Sequence, residues 1–380
     1  MKFVLAPDSF KESMTAKEAA AALERGLRKV LPNATYQQVP MADGGEGTVQ
    51  SLVDATNGQF VEEAVLDPLG QPTSARFGLL GDQTTAVIEM AAASGIQFVS
   101  EQTKNPLKTS TFGTGQLIRA AVEKHGATKI IIGIGGSATN DGGAGMAEAL
   151  GVKLLDTNGK PIQRGGGHLD DLVTIDVSGV PEAIREVEID IASDVTNPLT
   201  GEKGASAVFG PQKGATPEMI KTLDANLHHY AEVIKVQLGK DLEHQPGAGA
   251  AGGLGTGLLA FTNSQMRRGV DIVVEMTHLK EALKDADVVI TGEGGIDFQT
   301  QYGKTPTGVS LAAKEVNPDA TVIAVGGRIG DGLDTLYELG IRAIFPIVPG
   351  AMSLSEAMNS GQENLERVAE SLGRLFKRFE

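Results

Sequence analysis

The sequence predicts an α/β protein in which a doubly wound parallel sheet is interrupted by an inserted second α/β domain. Both ends of the chain alternate β-type runs with amphipathic helices, as parallel β-α-β units do, whereas the middle contains strand-like runs joined by short turns. The length of 380 residues suits two domains of ordinary size. We therefore predict a discontinuous first domain, residues 1–58 and 285–380, and an inserted domain, residues 59–284, with mixed and antiparallel strands.

The N-terminal segment begins with a short β-type run at Lys2–Ala6. Thr15 and Glu18 have the spacing of a capping box, so they predict the start of a helix, and apolar residues follow at helical spacing. Two further elements complete the segment, a strand at Thr35–Val39 and a helix from about Thr48 to Ala55.

The C-terminal third repeats this alternation. Ser353 and Glu356 form a second capping-box pattern before a terminal helix that is predicted to end near Phe379. With the N-terminal segment, this third supplies five β-α units, which is enough for one doubly wound sheet. The other predicted elements are strands at Asp287–Thr291, Thr321–Val325 and Ala343–Val348 and helices at Gly308–Glu315 and Leu333–Leu339.

The inserted domain is predicted to begin with an antiparallel meander, because three strand-like runs are joined by short turns. A single strand and a long helix capped by Thr216, with Pro217 at its first position, follow later. The predicted strands are Phe60–Leu66, Thr73–Leu80, Thr84–Met90 and Lys129–Ile134, and the helices are Gln116–Lys124 and Thr216–Leu238.

Composition and charge exclude several classes of protein. Cysteine is absent, which excludes disulfide frameworks and thiolate metal sites. The chain has 33 basic and 48 acidic side chains and a net charge of −15, so its surface repels nucleic acid. No apolar run approaches the roughly 20 residues of a membrane helix. We expect a cytoplasmic protein that binds neither nucleic acid nor membrane.

Glycine is abundant, with 49 of 380 residues, and it clusters. Glycine lets backbone amides approach a ligand, so such clusters favour an anionic ligand. The sharpest motif, Gly133–Gly143, follows a strand and precedes a helix, which is the geometry of a phosphate-binding loop. The alternative is a tight turn capped by Asp141. The motif also fits the weaker GxGxxA dinucleotide pattern, but its acidic partner could only be Asp156, which lies in a predicted turn.

Acidic residues, glycines and a lysine follow the predicted strands of the first domain. Because ligands bind beyond the carboxyl ends of parallel strands, these residues predict a site. They are Asp8, Ser9 and Lys11 after the first strand, Asp43–Glu46 after the second, Gly292–Gly295 with Asp297 after the third, and Gly326–Arg328 after the fourth.

Three more residues carry alternatives. Asp194 follows a strand-like run and is a candidate to bind Mg²⁺ or to accept a proton, but it equally fits an Asx turn before Asn197-Pro198. Lys11 and Lys304 are candidates to neutralise phosphate, although a single lysine is usually a solvated one.

Eight segments spread along the chain carry one shared pattern, namely Ala6–Ser13, Met41–Thr48, Asn105–Ile118, Gly133–Gly145, Ser193–Gly201, Phe209–Ala215, Pro246–Gly255 and Thr291–Pro306. Together they resemble the bacterial glycerate kinase family, the one distinct from the MOFRL-type glycerate kinases. One departure is Gly295, where the family often carries Arg in its TGEG-R-ID segment, so Arg328 or Lys304 would have to supply that charge.

The resemblance implies a flavodoxin-like first domain and an ATP- and Mg²⁺-dependent kinase, a transferase that phosphorylates D-glycerate in the cleft between two domains, with 2-phosphoglycerate favoured. A homo-oligomer is left open. The predicted ATP-phosphate contacts are Gly133, Gly135, Gly136, Ser137, Asn140, Asp141, Gly142 and Gly143. The predicted catalytic residues are Asp194, Lys11 and Lys304, the substrate contacts are Asp8, Ser9, Asp43, Glu293 and Asp297, and the metal ligands are Asp194 and Glu293.

Two other functions remain open on the sequence. An NAD-dependent 2-hydroxy-acid dehydrogenase also suits an α/β sheet and a small acid. A non-catalytic sensor of acidic metabolites would bind glycerate without consuming ATP, although no basic helix-turn-helix supports that hypothesis.

Overall fold

The computed structural model of the chain describes residues 1–45 and 47–377. The predicted strand-end residue Glu46 and the predicted helix end near Phe379 lie outside these residues. The strands are β1 Lys2–Pro7, β2 Thr35–Gln38, β3 Gln59–Leu66, β4 Pro72–Leu79, β5 Thr85–Glu89, β6 Lys129–Gly133, β7 Lys153–Leu155, β8 Thr174–Asp176, β9 Glu188–Ala192, β10 Asn263–Arg267, β11 Val288–Ile296, β12 Thr321–Ile329 and β13 Ile341–Pro346.

The α-helices follow the same numbering along the chain. They are α1 Ala16–Arg28, α2 Thr48–Thr56, α3 Ala91–Ser94, α4 Phe112–Glu123, α5 Ala144–Ala149, α6 Glu182–Glu186, α7 Ala205–Phe209, α8 Pro217–Leu238, α9 Ala250–Phe261, α10 Gly269–Met276, α11 Leu279–Leu283, α12 Thr305–Val316, α13 Asp334–Glu338, α14 Leu354–Asn359 and α15 Gly361–Phe376.

The chain folds as two units, Met1–Asn57 with Arg268–Glu380, and Gly58–Arg267. The chain returns to the first unit at Arg268, earlier than the predicted residue 285, because α10 and α11 pack against α12 of that unit. Within the described part of the chain, no helix combines the length and the apolarity that a membrane-spanning segment requires.

The first unit is built on a sheet of order β13-β12-β11-β1-β2, in which all neighbouring strands are parallel. This confirms the predicted doubly wound sheet. Helices α1 and α15 pack on one face, and their apolar residues share a core with Phe3, Leu5 and Ile290. Thr15 caps α1 together with Glu18, as the sequence predicted. The C-terminal helix is two helices, since α14 ends at Asn359 and α15 begins at Gly361.

Strands β11 and β12 are longer than predicted, and Gly292–Gly295 and Gly326–Arg328, which were expected to follow these strands, lie within them. Gly292 pairs with Val325, and Gly295 pairs with Arg328. The glycines permit this extension because the two strands approach closely there: a Cβ on Gly292 would lie 2.2 Å from the Val325 carbonyl oxygen. The two strands therefore carry their pairing into the region of the predicted site.

The second unit contains a mixed sheet of order β10-β9-β6-β5-β4-β3. Strands β3, β4 and β5 pair antiparallel, which confirms the predicted meander, whereas β5, β6, β9 and β10 pair parallel. Strand β6 is central, and its Ile130 and Ile132 belong to the same core as Leu227 and Tyr230 of α8. Thr216 caps α8, and Pro217 occupies its first turn, as predicted. The inserted unit therefore has the mixed α/β architecture that the sequence predicted.

Candidate active site

A pocket of about 400 Å³ in the first unit brings together most of the predicted substrate and catalytic residues. We call it the strand-end pocket, because its acidic residues come from the carboxyl-terminal parts of parallel strands or from the segments that follow them. Ligand sites commonly enclose roughly 300–1,000 Å³, so its size suits a small molecule. It is lined by Asp8, Ser9, Lys11, Asp43, Glu293, Gly294, Gly295, Lys304 and Met358.

Asp8 follows β1 and is buried, with 8% of its surface exposed. The Thr305 hydroxyl donates a hydrogen bond to Oδ2 at 2.6 Å, and the Ser9 amide donates to Oδ1 at 2.6 Å. Burial raises the pKa of Asp8 from 3.8 to about 7, and the nearby charge of Asp43 adds to this increase. Near neutral pH, this carboxyl group is therefore ready to exchange a proton.

Glu293 lies in β11 and is also buried. The Thr300 hydroxyl donates to its Oε1 at 2.8 Å, and Lys304 Nζ lies 3.8 Å from Oε2. Burial raises the pKa of Glu293 from 4.5 to about 7, although Lys304 and the Thr300 hydrogen bond oppose the increase. The strand-end pocket thus holds two carboxyl groups with pKa values near 7, together with two lysines.

Asp297, a predicted substrate contact, has another role in this structure. It precedes a 3-10 helix at Phe298–Tyr302, and its Oδ1 accepts a hydrogen bond from the Gln299 amide at 2.8 Å. It does not belong to the lining of the strand-end pocket. Its carboxylate therefore caps a short helix in this structure, and a contact with substrate stays a prediction.

The first half of the Gly-rich loop, which follows β6 in the second unit, is open to solvent at Gly135 and Gly136. The Gly136 carbonyl accepts a hydrogen bond from the Ile96 amide at 2.8 Å, and the Ala138 carbonyl accepts one from the Thr109 hydroxyl at 2.8 Å. Among the described residues, no acceptor is found for the amides of Gly135 and Gly136. Adjacent backbone amides without an internal acceptor are available to bind an anion.

The second half of the loop uses its polar groups internally. Asp141 is fully buried, and its carboxylate accepts hydrogen bonds from the Thr111 amide at 2.8 Å, the Thr111 hydroxyl at 2.9 Å, and the amides of Gly143 and Gly145 at 3.2 Å. Burial raises the pKa of Asp141, and these hydrogen bonds oppose the increase. This half of the loop therefore matches the alternative interpretation of the motif, a tight turn capped by Asp141.

Four other predicted phosphate contacts lie mainly in the interior. Gly133 and Ser137 are buried. The Asn140 side-chain amide donates to Ser206 Oγ at 3.0 Å, and the Gly142 amide donates to the Gly252 carbonyl at 3.0 Å. Contacts from these residues to ATP, like that from Asp141, stay predictions. Gly135 and Gly136, which are exposed, are the better placed of the predicted phosphate contacts.

Asp194 is exposed in the segment after β9, where the Ser193 amide donates to the Arg267 carbonyl at 3.0 Å. Within residues 1–45 and 47–377, no three His, Asp or Glu side chains are placed to hold a metal ion together. Mg²⁺ usually binds one or two carboxylates and completes its shell with water and substrate phosphates. Asp194 and Glu293 therefore fit as single oxygen ligands rather than as parts of a complete metal cage.

Three residues of these sites carried no clear signal in the sequence. Thr305 and Thr300 hold Asp8 and Glu293, but threonine is common in loops and helix starts. Lys213 is almost completely buried and donates to the Thr139 carbonyl of the Gly-rich loop at 2.6 Å. The only local hint was its place in the matching segment Phe209–Ala215.

Comparison with known proteins finds relatives over the whole chain. The model of the glycerate kinase family matches residues 3–377. The glycerate kinase of Bacillus subtilis (strain 168) is 54% identical over 377 residues, covering 99% of this chain and 98% of the relative. The glycerate 2-kinase of Escherichia coli (strain K12) is 49% identical over 372 residues, covering 98% of this chain and 97% of the relative.

A solved structure assigned to glycerate kinase 2 of Salmonella typhimurium LT2 has a TM-score of 0.92 and 49% sequence identity. It covers 100% of this chain and 99% of its own. These matches favour the kinase prediction over the dehydrogenase and the sensor. They confirm the resemblance that the eight motifs indicated, and the chain belongs to the glycerate kinase family.

Proposed function

We propose that this chain transfers the terminal phosphoryl group of ATP to D-glycerate and forms 2-phosphoglycerate. The observation that carries the proposal is the strand-end pocket, which combines two carboxyl groups of pKa about 7 with two lysines in a space suited to a small acid. The names of the relatives support glycerate as substrate, and the glycerate 2-kinase of Escherichia coli supports transfer to the 2-hydroxyl.

In the proposed reaction, the lysines neutralise anionic groups and a carboxylate accepts a proton. Lys11 and Lys304 pair with the glycerate carboxylate or with the incoming phosphoryl group. As the glycerate oxygen bonds to the γ-phosphorus, the bond from that phosphorus to the β–γ bridging oxygen breaks and ADP leaves. The hydroxyl proton moves to Asp8, which lies in the strand-end pocket, or to Asp194, the alternative acceptor.

The proposed nucleotide site is the exposed half of the Gly-rich loop, where the amides of Gly135 and Gly136 would bind phosphate oxygens. The oxygen atoms of Asp194 or Glu293 would hold Mg²⁺. Bound Mg²⁺ would neutralise charge on the phosphates. Catalysis in a cleft between two domains, a cytoplasmic location and a homo-oligomer stay predictions.

The product identifies the reaction. The protein is incubated with ATP, Mg²⁺ and D-glycerate, ADP release is followed by a coupled assay, and the product is analysed by phosphorus-31 NMR without proton decoupling. Phosphate on the 2-hydroxyl couples to one methine proton, so a doublet is expected. A triplet would show transfer to the 3-hydroxyl. In a separate incubation with NAD and D-glycerate, reduction of NAD by a protein that releases no ADP in the first assay would show a dehydrogenase.

Arg328 is expected to supply the positive charge that relatives often place at position 295. It pairs with Gly295 in the ladder between β11 and β12, and a Cβ built on Gly295 meets nothing within 4 Å. We expect Arg328→Ala to lower kcat/KM for glycerate about tenfold, which corresponds to about 1.4 kcal/mol. Adding Gly295→Arg should restore most of the loss, because a Cβ at this position has open space around it.

Steady-state kinetics of both variants test this expectation. Arg342→Ala, at an exposed arginine of the neighbouring strand β13, is the matched control and should leave kcat/KM unchanged. Equal losses in the Arg328 and Arg342 variants, or a double variant no better than Arg328→Ala, would show that position 328 does not supply this charge.

A further inference from the structure

The conformation of the Gly-rich loop is held through its carbonyl groups. Those of Gly136, Ala138 and Thr139 accept hydrogen bonds from three separate segments of the second unit. The donors are the Ile96 amide at 2.8 Å, the Thr109 hydroxyl at 2.8 Å and Lys213 Nζ at 2.6 Å. Gly135 and Gly136, at the start of this hydrogen-bonded stretch, are exposed.

Lys213 is the one charged donor among these three, and it is only 1% exposed. In the described part of the chain, the bond to the Thr139 carbonyl is the only hydrogen bond found for its ammonium group, although such a group has three donors. Asp141 attracts it electrostatically, but the Asp141 carboxylate bonds to Thr111, Gly143 and Gly145 instead. A lysine in this position is costly to bury.

The loop that Lys213 contacts, and Tyr230, which packs against Gly142 of that loop, do not satisfy all of their polar groups. The side-chain oxygens Thr139 Oγ1, Asn140 Oδ1 and Tyr230 OH are buried and have no hydrogen-bond partner among the described residues. Apolar residues often stabilise a fold as well as buried charges do, or better. A contribution to stability therefore does not explain why a lysine is buried here. Its hydrogen bond to the Gly-rich loop suggests a role in function instead.

We propose that Lys213 is a positioning residue for nucleotide binding, whose ammonium group holds the Thr139 carbonyl and keeps the Gly135 and Gly136 amides exposed. This inference rests on the proposed binding of ATP phosphates by the loop. Lys213 itself is buried, so it acts through the loop and does not touch the nucleotide.

The protonation state of Lys213 should make nucleotide affinity depend on pH. Desolvation lowers the pKa of Lys213 from 10.5 to about 7, while Asp141 raises it. The ionisable group that acts on Lys213 is Asp141 of the loop, whose own pKa is raised by burial. As pH rises through about 7, the ammonium loses its proton and the bond to Thr139 loses its charge. Affinity of the loop for a nucleotide should therefore fall over this range.

Three variants test the inference by calorimetric titration with β,γ-imido-ATP and Mg²⁺. Lys213→Met removes the charge and keeps the length of the side chain, and Lys213→Arg keeps the charge at every accessible pH. Lys221→Met, at an exposed lysine of α8, is the matched control. We expect Lys213→Met to lower affinity for the analogue at least about tenfold and to leave the KM for D-glycerate within about twofold.

The pH dependence separates positioning from folding. Between pH 6.5 and 8.5, the affinity of the wild type for the analogue should fall more steeply than the affinity of Lys213→Arg. The titration of the nucleotide itself affects both proteins equally, so the difference reports the charge at position 213. The inference would be overturned if Lys213→Met bound the analogue as tightly as the wild type does. It would also be overturned if this variant showed a lower nucleotide affinity, a higher KM for D-glycerate and a lower melting temperature together. A wild-type protein that does not bind the analogue would overturn the proposed ATP dependence as well.

Discussion

Replacing Asp8 with asparagine is expected to lower kcat at least about a hundredfold, because an amide cannot accept the proton of the glycerate hydroxyl. The side chain keeps its shape, and its oxygen still accepts the hydrogen bond that the Ser9 amide now donates to Asp8. Steady-state kinetics with ATP and D-glycerate measure the loss. In the wild type, kcat/KM for D-glycerate should rise with pH through about 7, as the Asp8 carboxyl group loses its proton.

The same substitution should stabilise the fold above neutral pH. Because the pKa of Asp8 is raised from 3.8 to about 7, its contribution to stability is fully present below pH 3.8 and is lost as pH rises through 7. At pH 8 the wild type holds a buried carboxylate, and asparagine removes that cost. The free energy of unfolding should therefore increase by about 3 kcal/mol at pH 8 and change little at pH 4.

Denaturant unfolding at both pH values tests this difference. Asp331→Asn, at an exposed aspartate of the same unit, is the matched control and should change neither kcat nor stability. Near-normal kcat in Asp8→Asn would remove Asp8 as the proton acceptor and leave Asp194 as the candidate. An Asp8 variant that is less stable than the wild type at pH 8 would contradict the assigned cost of the buried charge.

Replacing Asp141 with asparagine is expected to lower the free energy of unfolding by about 3 kcal/mol. Both carboxylate oxygens accept hydrogen bonds from backbone amides, Thr111 and Gly145 on Oδ2 and Gly143 on Oδ1. Whichever way the asparagine amide is turned, its NH₂ group faces a backbone N–H. Lys213 also loses its nearest negative charge. Denaturant unfolding followed by circular dichroism measures the loss.

Asp194→Asn is the informative comparison, because Asp194 is exposed in the same unit. That variant should keep its stability, and its kcat should fall only if Asp194 has its predicted catalytic or metal-binding role. An Asp141→Asn protein that is as stable as the wild type but has lost affinity for ATP would favour the phosphate contact over the internal cap.

Local sequence patterns were sufficient to predict two helix starts and the approximate positions of most strands. Thr15 with Glu18, and Thr216 with Pro217, mark helix starts that the structure contains. Their signals depend on neighbours within one helical turn, so no tertiary information is needed. The approximate positions of most strands followed in the same way, although β7, β8 and β10 were not predicted. The order of the parallel strands agrees with a doubly wound sheet.

Burial and long-range pairing were not encoded locally. The residues at 292–295 were expected to follow the strand, but they extend β11 because β12 offers a matching edge. Asp141 has the appearance of a phosphate contact in the sequence, and its burial depends on Thr111, which lies 30 residues away. Asp8 was predicted to lie at the site, but its pKa near 7 arises from burial and from the charge of Asp43.

Hydrogen–deuterium exchange with each ligand separately tests the central claim, that the strand-end pocket binds glycerate and the Gly-rich loop binds the nucleotide. D-glycerate should slow amide exchange in residues 8–11 and 292–295, and β,γ-imido-ATP with Mg²⁺ should slow it in residues 133–137. Slower exchange of residues 133–137 with D-glycerate alone, or an unchanged strand-end pocket at saturating glycerate, would contradict the assignment.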